Sequence, residues 1–252
     1  MCHLRLQMKK IDLTLTEAYV NSHITTFHQS RIRLLGELTL QKLLQKNPYL
    51  FRAKNLLTAQ ELVLSLLDAF LSSSEEKLFG DFLEGLAIHV ASQTVDGRKS
   101  ASPGIDLEFE RDGTIHLVSI KSGTNWGNSS QYTALKGYFQ KAVTRLKQSQ
   151  VTIHVQPVLG ICYGKTKTSH LNGYLKVVGQ SFWYLLSNDS ELYKKIIEPI
   201  GYNANHHNQA FEIEKAAVVN RVCHEFIEDF CFSSGKIDWD RLVEHNSKNM
   251  GK

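Results

Sequence analysis

The stretch Ile105-Asp106-Leu107-Glu108-Phe109-Glu110 alternates apolar and acidic residues without a break, and Asp112-Gly113 follows almost at once. Strict alternation is the pattern of a strand with one buried face, because successive side chains point to opposite sides of a sheet. Asp-Gly is the dipeptide a tight hairpin asks for, since the two central residues of its turn take positive φ. Ile115 to Lys121 then reads as the returning strand. Asp106, Glu108 and Glu110 therefore share one strand face. On the partner, Ser119 and Lys121 share one face while Val118 and Ile120 share the other.

Charge narrows the chain's partners. Of 252 residues 21% are charged and the formal net charge is only +4, yet no Asp or Glu occurs between Asp112 and Asp189. That window carries Lys121, Lys136, Lys141, Arg145, Lys147, Lys165, Lys167 and Lys176. A cationic run of this length predicts a surface facing a polyanion, with nucleic acid as the leading partner. The acids Asp81, Glu84, Asp96, Asp106, Glu108, Glu110 and Asp112 lie just before it. Acids followed by cations are what a metal site beside a phosphate-binding surface requires.

The remaining pattern is mostly helical. Leucine and phenylalanine stripes predict helices over 13–46 and 58–72, and Ser73 with Glu76 has the spacing of a capping box opening a further helix through Val90. Gly97 and the Ser100 to Gly104 stretch break it. After the hairpin, Ser122 to Ser130 is a polar loop and Gln131 to Gln148 a helix striped by Leu135, Phe139, Ala142 and Leu146. Val151 to Tyr163 predicts a third strand, and 189–199, 209–232 and 238–245 predict helices. His206 and His207 read as a surface turn, because adjacent histidines diverge and no third ligand has metal spacing. No internal repeat or linker appears. One domain over 1–252 is expected, with a helical N-terminal part over about 1–95, a catalytic core over about 75–202 and a helical C-terminal part over about 203–252.

Several classes are excluded. A hydrophobic fraction of 42% can build a full core, and no apolar run approaches the roughly 18 residues of a membrane span. The first ten residues lack the apolar segment of a secretory signal. The four cysteines Cys2, Cys162, Cys223 and Cys231 have no zinc-clamp spacing and read as free thiols. The expected compartment is the cytoplasm.

An acid at the end of one strand and a lysine near the end of its hairpin partner suits hydrolysis of a phosphodiester. The anionic diester repels hydroxide, so a catalyst must neutralise it and position water in line with the leaving oxygen. Asp106 would bind the metal, the Ile120 carbonyl would add a backbone ligand, and Lys121 would orient the water and counter the developing charge.

Ser102-Pro103-Gly104-Ile105-Asp106, followed by Val118-Ser119-Ile120-Lys121, resembles the PD-(D/E)xK nuclease superfamily. The string from Ser119 to Gln131, with Lys121-Ser122-Gly123-Thr124-Asn125-Trp126-Gly127-Asn128, is similar to one branch, the PmeII-type type II restriction endonucleases. Cys162-Tyr163-Gly164, Gly179 to Trp183 and Ile196 to Gly201 extend the resemblance, which covers about 100–202. It implies an α/β restriction-endonuclease-like fold, a central mixed sheet flanked by helices with a helical N-terminal region. It also implies Mg2+-dependent cleavage of double-stranded DNA by a homodimer at a short palindromic or near-palindromic site, and a DNA methyltransferase in the same cell.

The chain departs from the superfamily at Ser119, where an acid normally stands. Glu84 on the preceding helix and Glu108 on the Asp106 strand are the expected compensating ligands, with Ser119 reaching the metal through water. For DNA, Ser122, Asn125, Asn128 and Ser129 suit a close approach to phosphates, Lys136, Lys141 and Arg145 further phosphate contacts, and Lys165 and Lys167 a groove. Trp126 reads as a core plug. Two other readings remain: a DNA-binding protein of this fold that has lost cleavage, and a repair nuclease that recognises DNA structure.

Overall fold

The computed structural model describes residues 8–149, 152, 154–171 and 173–248; Cys2 and Val151 lie outside them. In chain order the first helices are α1 (Leu13–Gly36), α2 (Leu40–Leu44), α3 (Pro48–Ala53) and α4 (Ala59–Thr94). Then come β1 (Arg98–Lys99), β2 (Leu107–Arg111), β3 (Thr114–Lys121), α5 (Ser129–Ser149), β4 (His154–Ile161), β5 (Ser169–Leu171) and β6 (Tyr174–Val178). The chain closes with α6 (Gln180–Ser187), α7 (Leu192–Lys195), α8 (Ile197–Ile200), α9 (Ala204–Phe230) and α10 (Trp239–Ser247). Contacts divide it into two units: Met1–Ile24 with Phe79–Tyr202, and Thr25–Leu78 with Asn203–Lys252.

The first unit is built on a six-stranded mixed sheet of order β1-β2-β3-β4-β6-β5. The hairpin forms as its residues dictate. Leu107 pairs with Val118 and Arg111 with Thr114, closing on Asp112 and Gly113 with φ of 52° and 71°. β3, β4 and β6 run parallel, and β5 returns antiparallel at the far edge. Leu135, Phe139 and Ala142 of α5 bury an i, i+4, i+7 stripe against Leu117, Leu159, Ile161 and Val178. A Cβ on Gly160 would lie 2.2 Å from the Phe182 ring, so α6 covers that stretch of β4 only because the residue is glycine. The sheet thus sits between helices. This is the restriction-endonuclease-like architecture that the motif resemblance implies.

The second unit is helical. Its core joins Leu35, Leu43, Phe51, Leu62 and Leu67 to Phe211, Val218, Val222, Phe226 and Phe230, the last five repeating at seven and four residues along α9. Arg31 lies over the Phe211 ring at 3.9 Å and donates to Glu75 at 2.6 Å.

Several local expectations give way. The helix expected over 13–46 ends at Gly36, and Thr39 caps a separate α2 by accepting from the Lys42 N–H. Ser73 opens no helix. Its hydroxyl donates to the Ala69 carbonyl one turn back and α4 runs through it, while the capping box that starts α4 is Thr58 with Glu61. Glu61 accepts from the Leu57 and Thr58 amides, which holds its carboxyl below the usual range. His206 and His207 lie in the first turn of α9, not in a surface turn, and the His207 ring stacks on His28 at 4.4 Å. The helix expected over 189–199 is two short helices, α7 and α8. The strands β1, β5 and β6 carry no alternation long enough to read.

Candidate active site

Asp106 sits one residue before β2, where its N–H donates to the Val118 carbonyl at 2.9 Å and so fixes the residue opposite the end of β3. Its Oδ2 accepts from the Ile120 N–H at 2.6 Å and from the Ser119 hydroxyl at 3.4 Å. Lys121 brings its ammonium within 3.8 Å of the same oxygen and donates to the Ile120 carbonyl at 2.8 Å. Backbone pairing of the hairpin therefore brings Asp106 from one arm to the consecutive Ser119, Ile120 and Lys121 of the other.

Glu84 reaches this cluster from α4. Its carboxyl is held above the ordinary glutamate range, first by burial and next by the negative charge of Asp106, against which Lys99 and Lys121 pull it down. Lys99 approaches at 3.6 Å but is largely exposed, so its neutralising effect is weak. A cleft of about 430 Å3 lined by Tyr19, Asp81, His89 and Lys99 opens beside Glu84. Cys162, buried at the end of β4, feels the same charges; burial first and Glu84 second push its thiol up to about 12. That thiol has no nucleophilic character at neutral pH.

Glu108 does not join them as expected. Arg98, its cross-strand partner in β1, donates to Oε1 at 2.8 Å and Ser100 donates to Oε2 at 3.1 Å, so both oxygens are engaged. Ser119 is buried and turned onto Asp106, where an acid would place a second negative charge against the first. Among the described residues no cluster of three or more His, Cys, Asp or Glu side chains is placed to hold a metal. Among the described residues Asp106 is the carboxylate that acts most on Glu84, with a smaller effect from Asp81.

The residues expected to meet DNA separate into two groups. Lys136 and Lys141 are exposed on α5, and Lys165 and Lys167 are exposed in the segment between β4 and β5. Asn125 and Ser129 are exposed and Ser122 half-buried, beside Lys121. Two others are already occupied. Asn128 caps α5: its Oδ1 accepts from the Gln131 N–H at 3.1 Å while Gln131 Oε1 accepts from the Asn128 N–H at 2.9 Å. Arg145 donates to the Ser102 hydroxyl, tying α5 to the loop before Asp106. The Asn-x-x-Gln spacing could have revealed the first; nothing local marks the second. Trp126 is only partly buried, its ring 4.6 Å from that of Tyr132.

A mixed sheet between helices, with an acid just before β2 and a lysine at the end of β3, is the architecture of a restriction-endonuclease-like α/β fold. A family model described as type II restriction endonuclease EcoO109I matches residues 14–208. The chain belongs to that family of type II restriction endonucleases. A search of curated proteins finds no match. Among the described residues no helix is long and apolar enough to cross a membrane.

Proposed function

We propose that the chain hydrolyses phosphodiester bonds of double-stranded DNA at a specific site, in a Mg2+-dependent reaction centred on Asp106, Glu84 and Lys121. The observation that carries this reading is the convergence of the Asp106 carboxylate, the Ile120 carbonyl and the Lys121 ammonium at the end of β3, with Glu84 coupled to Asp106. Two carboxylates raise each other's proton affinity when no cation separates them. Magnesium is held through one or two carboxylates and keeps water and substrate phosphate as its other ligands, so Asp106, Glu84 and the Ile120 carbonyl suit it. When bound, the ion would neutralise the diester and acidify a water.

The protein's own groups do the rest. The Ile120 N–H and Ser119 hydroxyl fix the Asp106 carboxylate. Lys121 places a positive charge where the attacking water and the developing phosphate charge meet. Lys136, Lys141, Lys165 and Lys167 supply sequence-independent attraction to the backbone, with Ser122, Asn125 and Ser129 nearer the cut. The finer placement within the PD-(D/E)xK superfamily, beside the PmeII-type enzymes, rests on the Lys121 to Asn128 string. A homodimer cutting a near-palindromic site, a protecting methyltransferase and a cytoplasmic location follow from the same reading.

Purified protein incubated with unmethylated plasmid and phage DNA tests it, with and without magnesium, beside Asp106→Ala and Lys121→Ala. Discrete fragments that need magnesium and disappear in both variants are expected. Salt-sensitive binding without cuts would favour the binding protein that the neutral Ser119 also suits, and cuts confined to branched DNA would favour a repair enzyme.

A further inference from the structure

We infer that Trp126 is a positioning residue for Lys121: its indole face holds the lysine ammonium over the Asp106 carboxylate. This rests on the nuclease reading above and adds a residue to it.

Among the described residues the Lys121 ammonium has three close partners in the DNA-free chain, besides the longer-range charge of Glu84. The ammonium donates to the Ile120 carbonyl at 2.8 Å, lies 3.8 Å from Asp106 Oδ2 and stands 5.6 Å from the centroid of the Trp126 ring. The first of these is the carbonyl that the proposed function assigns to the metal, so the lysine must leave it for that function. The other two partners are then what keeps the ammonium in place. A tryptophan face attracts a cation at distances up to about 6 Å, more strongly as water is excluded. A flexible four-carbon side chain without such a face would sample positions unrelated to the reacting phosphate.

A second observation separates Trp126 from an ordinary core tryptophan. Its Nε1–H is buried and has no hydrogen-bond partner among the described residues, whereas Trp183 donates from Nε1 to the Cys162 carbonyl at 3.0 Å. Leaving an indole donor unpaired is unfavourable, and buried tryptophans ordinarily avoid it. The ring is nevertheless held by Tyr132 on one side of the loop and faces Lys121 on another. Its orientation serves the ring face and not the N–H. The loop that carries it is anchored close by: the Tyr163 N–H donates to the Ser122 carbonyl at 3.0 Å and the Tyr163 ring lies where a Cβ on Gly123 would stand.

The test is a double-mutant cycle read in cleavage kinetics. Trp126→Leu is expected to lower kcat about tenfold with the KM for DNA within twofold, because the face acts on the lysine and not on DNA binding. Trp126→Phe, which keeps a ring and loses the N–H, is expected to recover most of that loss. In a Lys121→Ala background, followed at enzyme excess over long incubations so that residual cutting below the fragment assay is measured, Trp126→Leu is expected to change nothing further, since its effect passes through the lysine. In metal-free, DNA-free protein, Lys121→Met is expected to move the indole N–H resonance that Trp126→Phe removes. Additive losses in the cycle, or a Trp126→Leu effect confined to KM, would overturn the inference and leave Trp126 as loop packing. Native protein that cuts no DNA would overturn the nuclease reading instead; a native enzyme that cuts, with Trp126→Leu equally active, would overturn this inference alone.

Discussion

The two sides of Asp106 hold one glutamate each, and they differ in what neutralises them. On the β2 side both oxygens of Glu108 are taken by Arg98 and Ser100. On the α4 side Glu84 has only a looser ion pair, with Lys99 at 3.6 Å and as exposed as Arg98, while burial and Asp106 raise its proton affinity. Both acids are near Asp106 in different senses, one along a strand and one through space. A carboxylate already paired with a guanidinium has little to gain from a cation. One held against a like charge has much to gain, and it is this second kind that marks a metal position.

That contrast can be broken at either acid. The largest effect is expected from Glu84→Gln, which keeps the shape and removes the charge; cleavage should fall about 100-fold or more, as for loss of a group that touches the metal's immediate surroundings. Glu108→Gln should leave the cleavage rate within about threefold, and it should cost at most about 1 kcal/mol of stability, because the pair it breaks is with an exposed arginine. Plasmid cleavage and denaturant melts of the two variants measure both. Asn128→Ala removes the cap of α5 and should lower stability by about 1 kcal/mol, whereas Asn125→Ala should not; thermal melts separate cap from DNA contact.

The smallest effect concerns pH. Because the Glu84 carboxyl is raised in the folded chain, the metal-free protein gains stability from it below the ordinary glutamate range and loses that gain as pH climbs through the raised value. Glu84→Gln should therefore melt a few degrees above the native protein near neutral pH without magnesium and lose this advantage in acid, as differential scanning would show.

Which of these features can be read from residues alone depends on how local their causes are. The hairpin is readable because alternation and Asp112-Gly113 lie within a few residues of one another, and it carries Asp106 and Lys121 into register. The nuclease-type sheet follows from that and the motif resemblance. Glu84 stands apart from Asp106 in sequence and is suggested by family habit; no periodicity on α4 shows that it faces an acid. Glu108 has the right strand face, yet its oxygens go to Arg98 and Ser100, and no pattern reveals this because Arg98 belongs to β1, a two-residue strand. Ser73 and Thr58 share the same spacing to a glutamate, and only the second begins a helix, because at Ser73 the preceding residues are already helical and its hydroxyl bonds back to them.

The central claim of the proposed function is that Asp106 and Glu84, and not Glu108, would hold a divalent cation. A magnesium titration of cleavage rate for native protein, Glu84→Gln and Glu108→Gln tests it most directly. The account predicts that native protein and Glu108→Gln reach half-maximal rate at the same magnesium concentration while Glu84→Gln needs about tenfold more. A shift in Glu108→Gln with none in Glu84→Gln would contradict it.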